Sequence, residues 1–222
     1  MKKILICGFP HCGTTILKNI IGHCEDVHEI ANETMQINNI STNKSFIICK
    51  WPHTQEVFFS KSYENYIKIF IIRNPIYVFS SLNKRFEYNI INDSSIDTYI
   101  NTAKMFIDNK NTKNVFTIKY EDIFENNYQK LRDILDEIGI KYTDDIFNNS
   151  KYENVAHKGT VLVSDKPTNI GKYNHIRYRT WQINQPFVLN NDKSKIDLKD
   201  TQMQKIINDE TILQIYPDLN NS

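Results

Sequence analysis

The segment Gly8-Phe9-Pro10-His11-Cys12-Gly13-Thr14-Thr15 carries the most chemically informative spacing in the chain. It follows a short apolar run and opens a helix-forming stretch, so successive backbone N–H groups and a helix N-terminus converge on one point and stabilise an anion there. The G-x-x-x-x-G spacing is that of a nucleoside triphosphate P-loop, but Thr14 stands where that motif carries the lysine that reaches the β- and γ-phosphates. The loop is therefore expected to bind an anion without being an NTPase. A nucleotide or nucleoside kinase with a degenerate P-loop is the alternative, and it would require magnesium and ATP.

A second set selects among anions. Ile69-Phe70-Ile71-Ile72 runs into Arg73-Asn74-Pro75, and Ser80-Ser81 follow. An apolar strand would deliver Arg73 to its carboxyl edge, where ligands sit in open α/β sheets, and a helix would place Ser81 a little over two turns along. A fixed guanidinium with a hydroxyl suits a phosphate monoester.

The elements that must position these residues are legible as apolar runs stopped by proline. Lys3–Phe9 precedes Pro10, Phe46–Lys50 precedes Pro52, and Ile67–Ile72 precedes Pro75. Near-continuous hydrophobicity of this length marks strands buried on both faces. A weaker run, Val115–Tyr120, ends at Glu121-Asp122. Helices are expected over Thr14–Gly22, Ile76–Glu87, Ile96–Asn109, Asn127–Ile138 and Thr201–Ile215. In the fourth, Leu131, Ile134, Leu135 and Ile138 share one face. Alternating strands and helices predict an α/β fold: three layers, with a central, mainly parallel sheet flanked by helices.

The 222 residues suit one domain over 1–222, in which residues 152–200, loop-rich and with little periodicity, form a lid or acceptor region. With 27 Lys+Arg against 26 Asp+Glu the net charge is +1, which excludes nucleic-acid binding through overall basicity; any anion site must be local. The chain holds 34 Ile, 27 Asn and 22 Lys but only five Arg, so each arginine is informative. No apolar stretch approaches a membrane span or a signal h-region. The four cysteines, Cys7, Cys12, Cys24 and Cys49, lack CxxC pairing, and together these features read as cytoplasmic. His23, Cys24 and His28 fit no standard zinc spacing and are expected to be solvent-exposed residues at a helix end; no metal is expected.

On these residues the chain resembles the sulfotransferases that use 3′-phosphoadenosine 5′-phosphosulfate (PAPS). That family has a loop P-[KR]-S-G-T-[ST] after its first strand and a later R-[ND]-P-x5-S; here they read Pro10-His11-Cys12-Gly13-Thr14-Thr15 and Arg73-Asn74-Pro75 through Ser81. Lys119-Tyr120-Glu121-Asp122 resembles the family's Y-E-D-L element, and Lys50-Trp51-Pro52 its K-x-P strand end. The likeness runs in order over about residues 3–140. It implies a P-loop-like fold and transfer of a sulfuryl group from PAPS to a hydroxyl or amine of a small molecule, glycan or peptide; a non-catalytic PAPS-binding protein is the remaining alternative.

The resemblance also implies roles. Pro10 to Thr15 would hold the 5′-phosphosulfate, Arg73 and Ser81 the 3′-phosphate, and Tyr120 the neighbouring cofactor surface. His157-Lys158-Gly159 resembles the family's R-K-G element, which places Lys158 and Gly159 over the 3′-phosphate, and Gly171-Lys172-Tyr173 resembles a G-x-W turn. His11 replaces the family's Lys or Arg and would serve as a cation or a general acid, with Lys50 supplying charge from a neighbouring strand end. Two bases are open: Glu33, in Ala31-Asn32-Glu33-Thr34, and His53, just after Pro52, with Glu33 favoured. Trp51, Tyr173 and Trp181 are candidates to stack on adenine or line an acceptor pocket.

Overall fold

Parallel strands buried on both faces must be apolar throughout, and three of the five strands in the computed structural model are the runs that end at Pro10, Pro52 and Pro75. The structure describes residues 1–37, 40–86, 93–148, 189 and 191–221. β1 (Lys2–Gly8), β3 (Phe46–Trp51) and β4 (Tyr66–Ile72) form the centre of the sheet, with β2 (Val27–Glu33) and β5 (Val115–Lys119) at its edges. The order is β2-β3-β1-β4-β5, and every pairing is parallel. Ile4–Cys7, Ile47–Cys49 and Ile69–Ile72 are fully buried.

Parallel neighbours need crossovers. Helix α1 (Thr14–Gly22) carries the chain from β1 past β3 to β2. Helices α2 (Pro75–Phe86) and α3 (Asp93–Asp108) carry it from β4 to β5 on the other side. The connections therefore leave β1 and β4 in opposite directions, and the carboxyl ends of these two adjacent strands frame the crevice where open α/β sheets hold ligands. The anion loop leaves β1 there, and Arg73 leaves β4 beside it.

After β5 come α4 (Tyr120–Phe124), α5 (Gln129–Ile138), α6 (Asp200–Ile207) and α7 (Glu210–Ile215). The expected apolar face of α5 is present: Leu131, Ile134, Leu135 and Ile138 are all buried.

Several expectations are corrected. Tyr120 opens α4 instead of ending β5. Helix α5 begins at Gln129, because Asn126, Asn127 and Tyr128 all have positive φ, outside helical geometry. The expected helix over 201–215 is two, broken at Asn208-Asp209, where the Asp209 carboxylate accepts the Ile212 N–H at 2.9 Å and caps α7. Strand β2 is an addition, since its sequence, VHEIANE, lacks an apolar run. Cys24 is buried and His28 lies half-buried within β2, so these are not exposed helix-end residues. Lys158, Gly159, Tyr173, Trp181 and most of the 152–200 region lie outside the described residues. No helix among the described residues is long and apolar enough to cross a membrane.

Two consequences are measurable. A Cβ on Gly8 would overlap the backbone carbonyl of Ile71 on β4, at the sheet's central pairing. Gly8→Ala should therefore cost about 3 kcal/mol of stability, as overpacking against an unyielding neighbour does, read as a lowered midpoint in urea denaturation. All four cysteines are buried and none is in a disulfide, and burial pushes the thiols of Cys7, Cys12 and Cys49 up to about 12. They stay protonated at pH 8, so a disulfide reagent such as DTNB should find no rapidly reacting thiol in the folded protein and four after unfolding.

Candidate active site

The loop's geometry begins with its backbone. Phe9 O accepts the Cys12 N–H at 3.2 Å, and His11 and Gly13 take left-handed φ values of 69° and 95°. Helix α1 then starts at Thr14, its first turn closed by Leu17 N–H to Gly13 O at 3.0 Å. Gly13 is required twice over: its φ favours glycine, and a Cβ there would lie 2.6 Å from Cδ2 of Tyr120. Cys12 turns its side chain into the core, and its protonated thiol is not a nucleophile.

Tyr120 packs beneath the loop and also carries Arg73, whose guanidinium carbon lies 4.4 Å from the ring centroid. Arg73 is 8% exposed and donates from Nη1 to His11 O at 3.4 Å. Its own carbonyl accepts the Tyr99 hydroxyl at 2.5 Å. Burial pushes the Tyr99 phenol well above its ordinary value, so it remains a donor. Asn74 completes the strand end. Its side chain accepts the Ile76 N–H at 3.0 Å and starts α2, while its N–H donates to Glu121 at 3.1 Å. The other Glu121 oxygen accepts the Tyr216 hydroxyl at 3.2 Å, which ties this corner to the residue after α7. Helix α2 presents Ser81 to the loop, with His11 Nδ1 and Ser81 Oγ 2.8 Å apart.

A third group comes from β3 and β2. Lys50 is 2% exposed, and its ammonium donates to Thr15 Oγ1 at 2.8 Å and to Glu33 Oε1 at 2.7 Å. Glu33 is partly open to solvent, its side chain 42% exposed. The carboxylate, the buried cation and the loop hydroxyl thus form one chain of contacts across three elements.

The structure brings His11, Thr15, Lys50, Glu33, Arg73, Ser81, Gly13 and Tyr120 together at the carboxyl edge of the sheet. His53 is exposed, its ring 6.1 Å from that of Trp51, and among the described residues it makes no hydrogen bond to this group. Sequence reasoning missed Tyr99 and Tyr216, because nothing in the spacing of lone tyrosines announces a role. It also treated Glu33 and Lys50 as separate candidates, since their contact depends on the unrecognised strand β2.

Residues 1–185 match the model of the sulfotransferase domain family. Among solved structures, that of mouse sulfotransferase SULT7A1 complexed with PAP is similar at a TM-score of 0.62 and 14% identity, covering 100% of this chain and 89% of that one. Retinol dehydratase in complex with androsterone and inactive cofactor PAP gives 0.52 at 12% identity, covering 100% and 82%. The same enzyme in a complex with retinol and PAP gives 0.50 at 13%, covering 99% and 82%. At these identities the likeness is one of fold. Comparison with curated protein sequences found no match. The family match spans the loop after β1, the end of β4 and most of the chain, so the protein belongs to the sulfotransferase family and is an enzyme of sulfuryl transfer.

Proposed function

We propose that the protein moves the sulfuryl group of PAPS to the hydroxyl of a small molecule, with Glu33 as the base that takes the acceptor's proton. The observation that carries this reading is the Lys50 contact, which joins Glu33 to Thr15 of the anion loop within 2.8 Å at each step. A base and a phosphate-binding loop joined through one cation is what an aligned displacement needs: a proton acceptor on one side of the transferred group, and charge stabilisation at the leaving oxygen on the other.

The loop N–H groups and the hydroxyls of Thr14 and Thr15 would hold the 5′-phosphosulfate, as a helix N-terminus after a glycine turn does. The residues fit such a group. Gly13 keeps the loop's backbone pressed to Tyr120, and Lys50 brings a positive charge to Thr15. Arg73 and Ser81 would hold the 3′-phosphate; both border His11, Arg73 through its carbonyl and Ser81 through its imidazole. Lys50 also holds one oxygen of the Glu33 carboxylate at 2.7 Å, which would keep the base in place as the new S–O bond forms.

PAP, adenosine 3′,5′-bisphosphate, is named with the SULT7A1 and retinol dehydratase structures, and retinol and androsterone with the latter; this supports a nucleotide of that kind and a small apolar alcohol as acceptor. A reducing, cytoplasmic setting is supported by four cysteines that form no disulfide.

Calorimetric titration tests the nucleotide assignment. Adenosine 3′,5′-bisphosphate should bind at least about tenfold more tightly than AMP, and Arg73→Ala should remove most of that difference, as loss of a charge-assisted contact of about 1.5–3 kcal/mol implies. Equal affinities for the two nucleotides in the unaltered protein would sink the assignment of Arg73 and Ser81. For the base, release of the bisphosphate from PAPS is followed with a panel of phenols, sterols and aliphatic alcohols. Glu33→Gln should lower turnover about a hundredfold or more while bisphosphate affinity holds within about twofold. Full activity in Glu33→Gln with none in His53→Ala would transfer the role to His53.

A further inference from the structure

Helix α1 buries a lysine that touches no part of the anion loop. Lys18 has 0% exposure, and its ammonium reaches three oxygens: Glu29 Oε1 at 2.7 Å, Ile30 O at 2.8 Å and Ala31 O at 3.4 Å. Taking an ammonium out of water costs several kcal/mol unless its donors are used. All three N–H groups are aimed at one short stretch of β2.

That stretch is irregular. In the pairing of β2 with β3, Glu29 stands opposite Ile48, but Glu33 stands opposite Lys50. Strand β2 advances four residues while β3 advances two, so two extra residues are accommodated between Glu29 and Glu33. Had the ladder continued regularly from Glu29, Ala31 would face Lys50, and the buried ammonium of Lys50 would find a methyl group where a carboxylate now sits. The offset is a β-bulge, a device that re-aims side chains and leaves backbone groups outside the ladder. The carbonyls held by Lys18, those of Ile30 and Ala31, belong to residues inside this offset. Glu29, the last residue before it, is held by the same ammonium, and Gly22 leaves room for its carboxylate: a Cβ there would lie 2.5 Å from Glu29 Oε2.

We propose that Lys18 is a positioning residue: by binding Glu29 and the Ile30 and Ala31 carbonyls it holds the β2 offset that sets Glu33 against Lys50. Lys18 acts through Glu33, and for its effect on turnover the proposal rests on the reading of Glu33 as the base. The helix that opens with the anion loop thereby also fixes the carboxylate on the other side of the transfer, through a residue one turn further along.

The test uses Lys18→Met, which keeps the length and removes the donors, and Lys18→Gln, which keeps one polar head and stands in where Lys18→Met does not fold. Turnover is read as bisphosphate release from PAPS with 2-naphthol as acceptor and with water alone. The Glu33–Lys50 contact is read from crystal structures of the variants. Both variants should lose at least tenfold in turnover, keep bisphosphate affinity within twofold, and show the Glu33–Lys50 contact broken. In a Glu33→Gln background, adding either Lys18 substitution should cost less than twofold more, because residues that act as a unit are not additive. Unchanged turnover, an intact Glu33–Lys50 contact, or the same fold-loss in the Glu33→Gln background would overturn the proposal. Full activity in Glu33→Gln alone would overturn the base assignment instead, and the crystal structures would still decide whether Lys18 sets the offset.

Discussion

Burial of positive charge is the constraint on which the rest of this structure turns. Lys18, Lys50 and Arg73 are 0%, 2% and 8% exposed, and each lies at or beneath the carboxyl edge of the sheet. A desolvated cation is tolerated only with partners in good geometry, so each of the three dictates what surrounds it. Lys50 gathers Glu33 and Thr15. Lys18 gathers Glu29 and two carbonyls of β2. Arg73 lies over the Tyr120 ring and reaches the His11 carbonyl. Through these contacts the anion loop, α1, both strands on one flank of β1 and the end of β4 are fixed relative to one another. The overall charge of +1 says nothing of this, because the three cations act where water is excluded and the field between charges is strongest.

The same constraint separates what was legible in the sequence from what was not. Strands β1, β3 and β4 were readable because a strand covered on both faces has no choice but to be apolar, and the prolines after them mark where pairing must stop. The amphipathic face of α5 was readable for a similar reason: one stripe packs inward and the rest meets solvent. Strand β2 escaped notice because neither condition applies to it. It lies at the sheet's edge, paired on one side, and grows more exposed along its length until Glu33. Its place is set by partners distant in sequence, Lys18 and Lys50, and no local pattern reports such contacts.

The remaining discrepancies have local causes of the same kind. Tyr120 continues an apolar run and so resembles a strand residue, yet its ring is needed under Gly13 and Arg73, and the chain turns into α4 there. The break in the C-terminal helix follows from Asp209, whose carboxylate does more as a cap on α7 than within a helix interior. Cys12, which departs from the family's serine, is accommodated because that side chain faces the core. At such a position a small, weakly polar group packs as well as a hydroxyl would.

His11 is the departure with the greatest bearing on the chemistry, and the geometry indicates how the site works with it. An anion loop of this kind holds its ligand mainly through backbone N–H groups, whose direction depends on φ and ψ at His11 and Gly13 more than on the side chain at position 11. The imidazole is engaged with Ser81, the hydroxyl assigned to the opposite end of the nucleotide. That contact ties the loop to α2. Lys50 is the group that reaches the loop from the other side, through Thr15, and it arrives already paired with Glu33. In the proposed reading, one buried ammonium thus serves two ends: positive charge near the leaving oxygen, and a carboxylate held in place near the acceptor. In that reading the alignment of the base depends on the register of β2 against β3, the least regular pairing in the sheet.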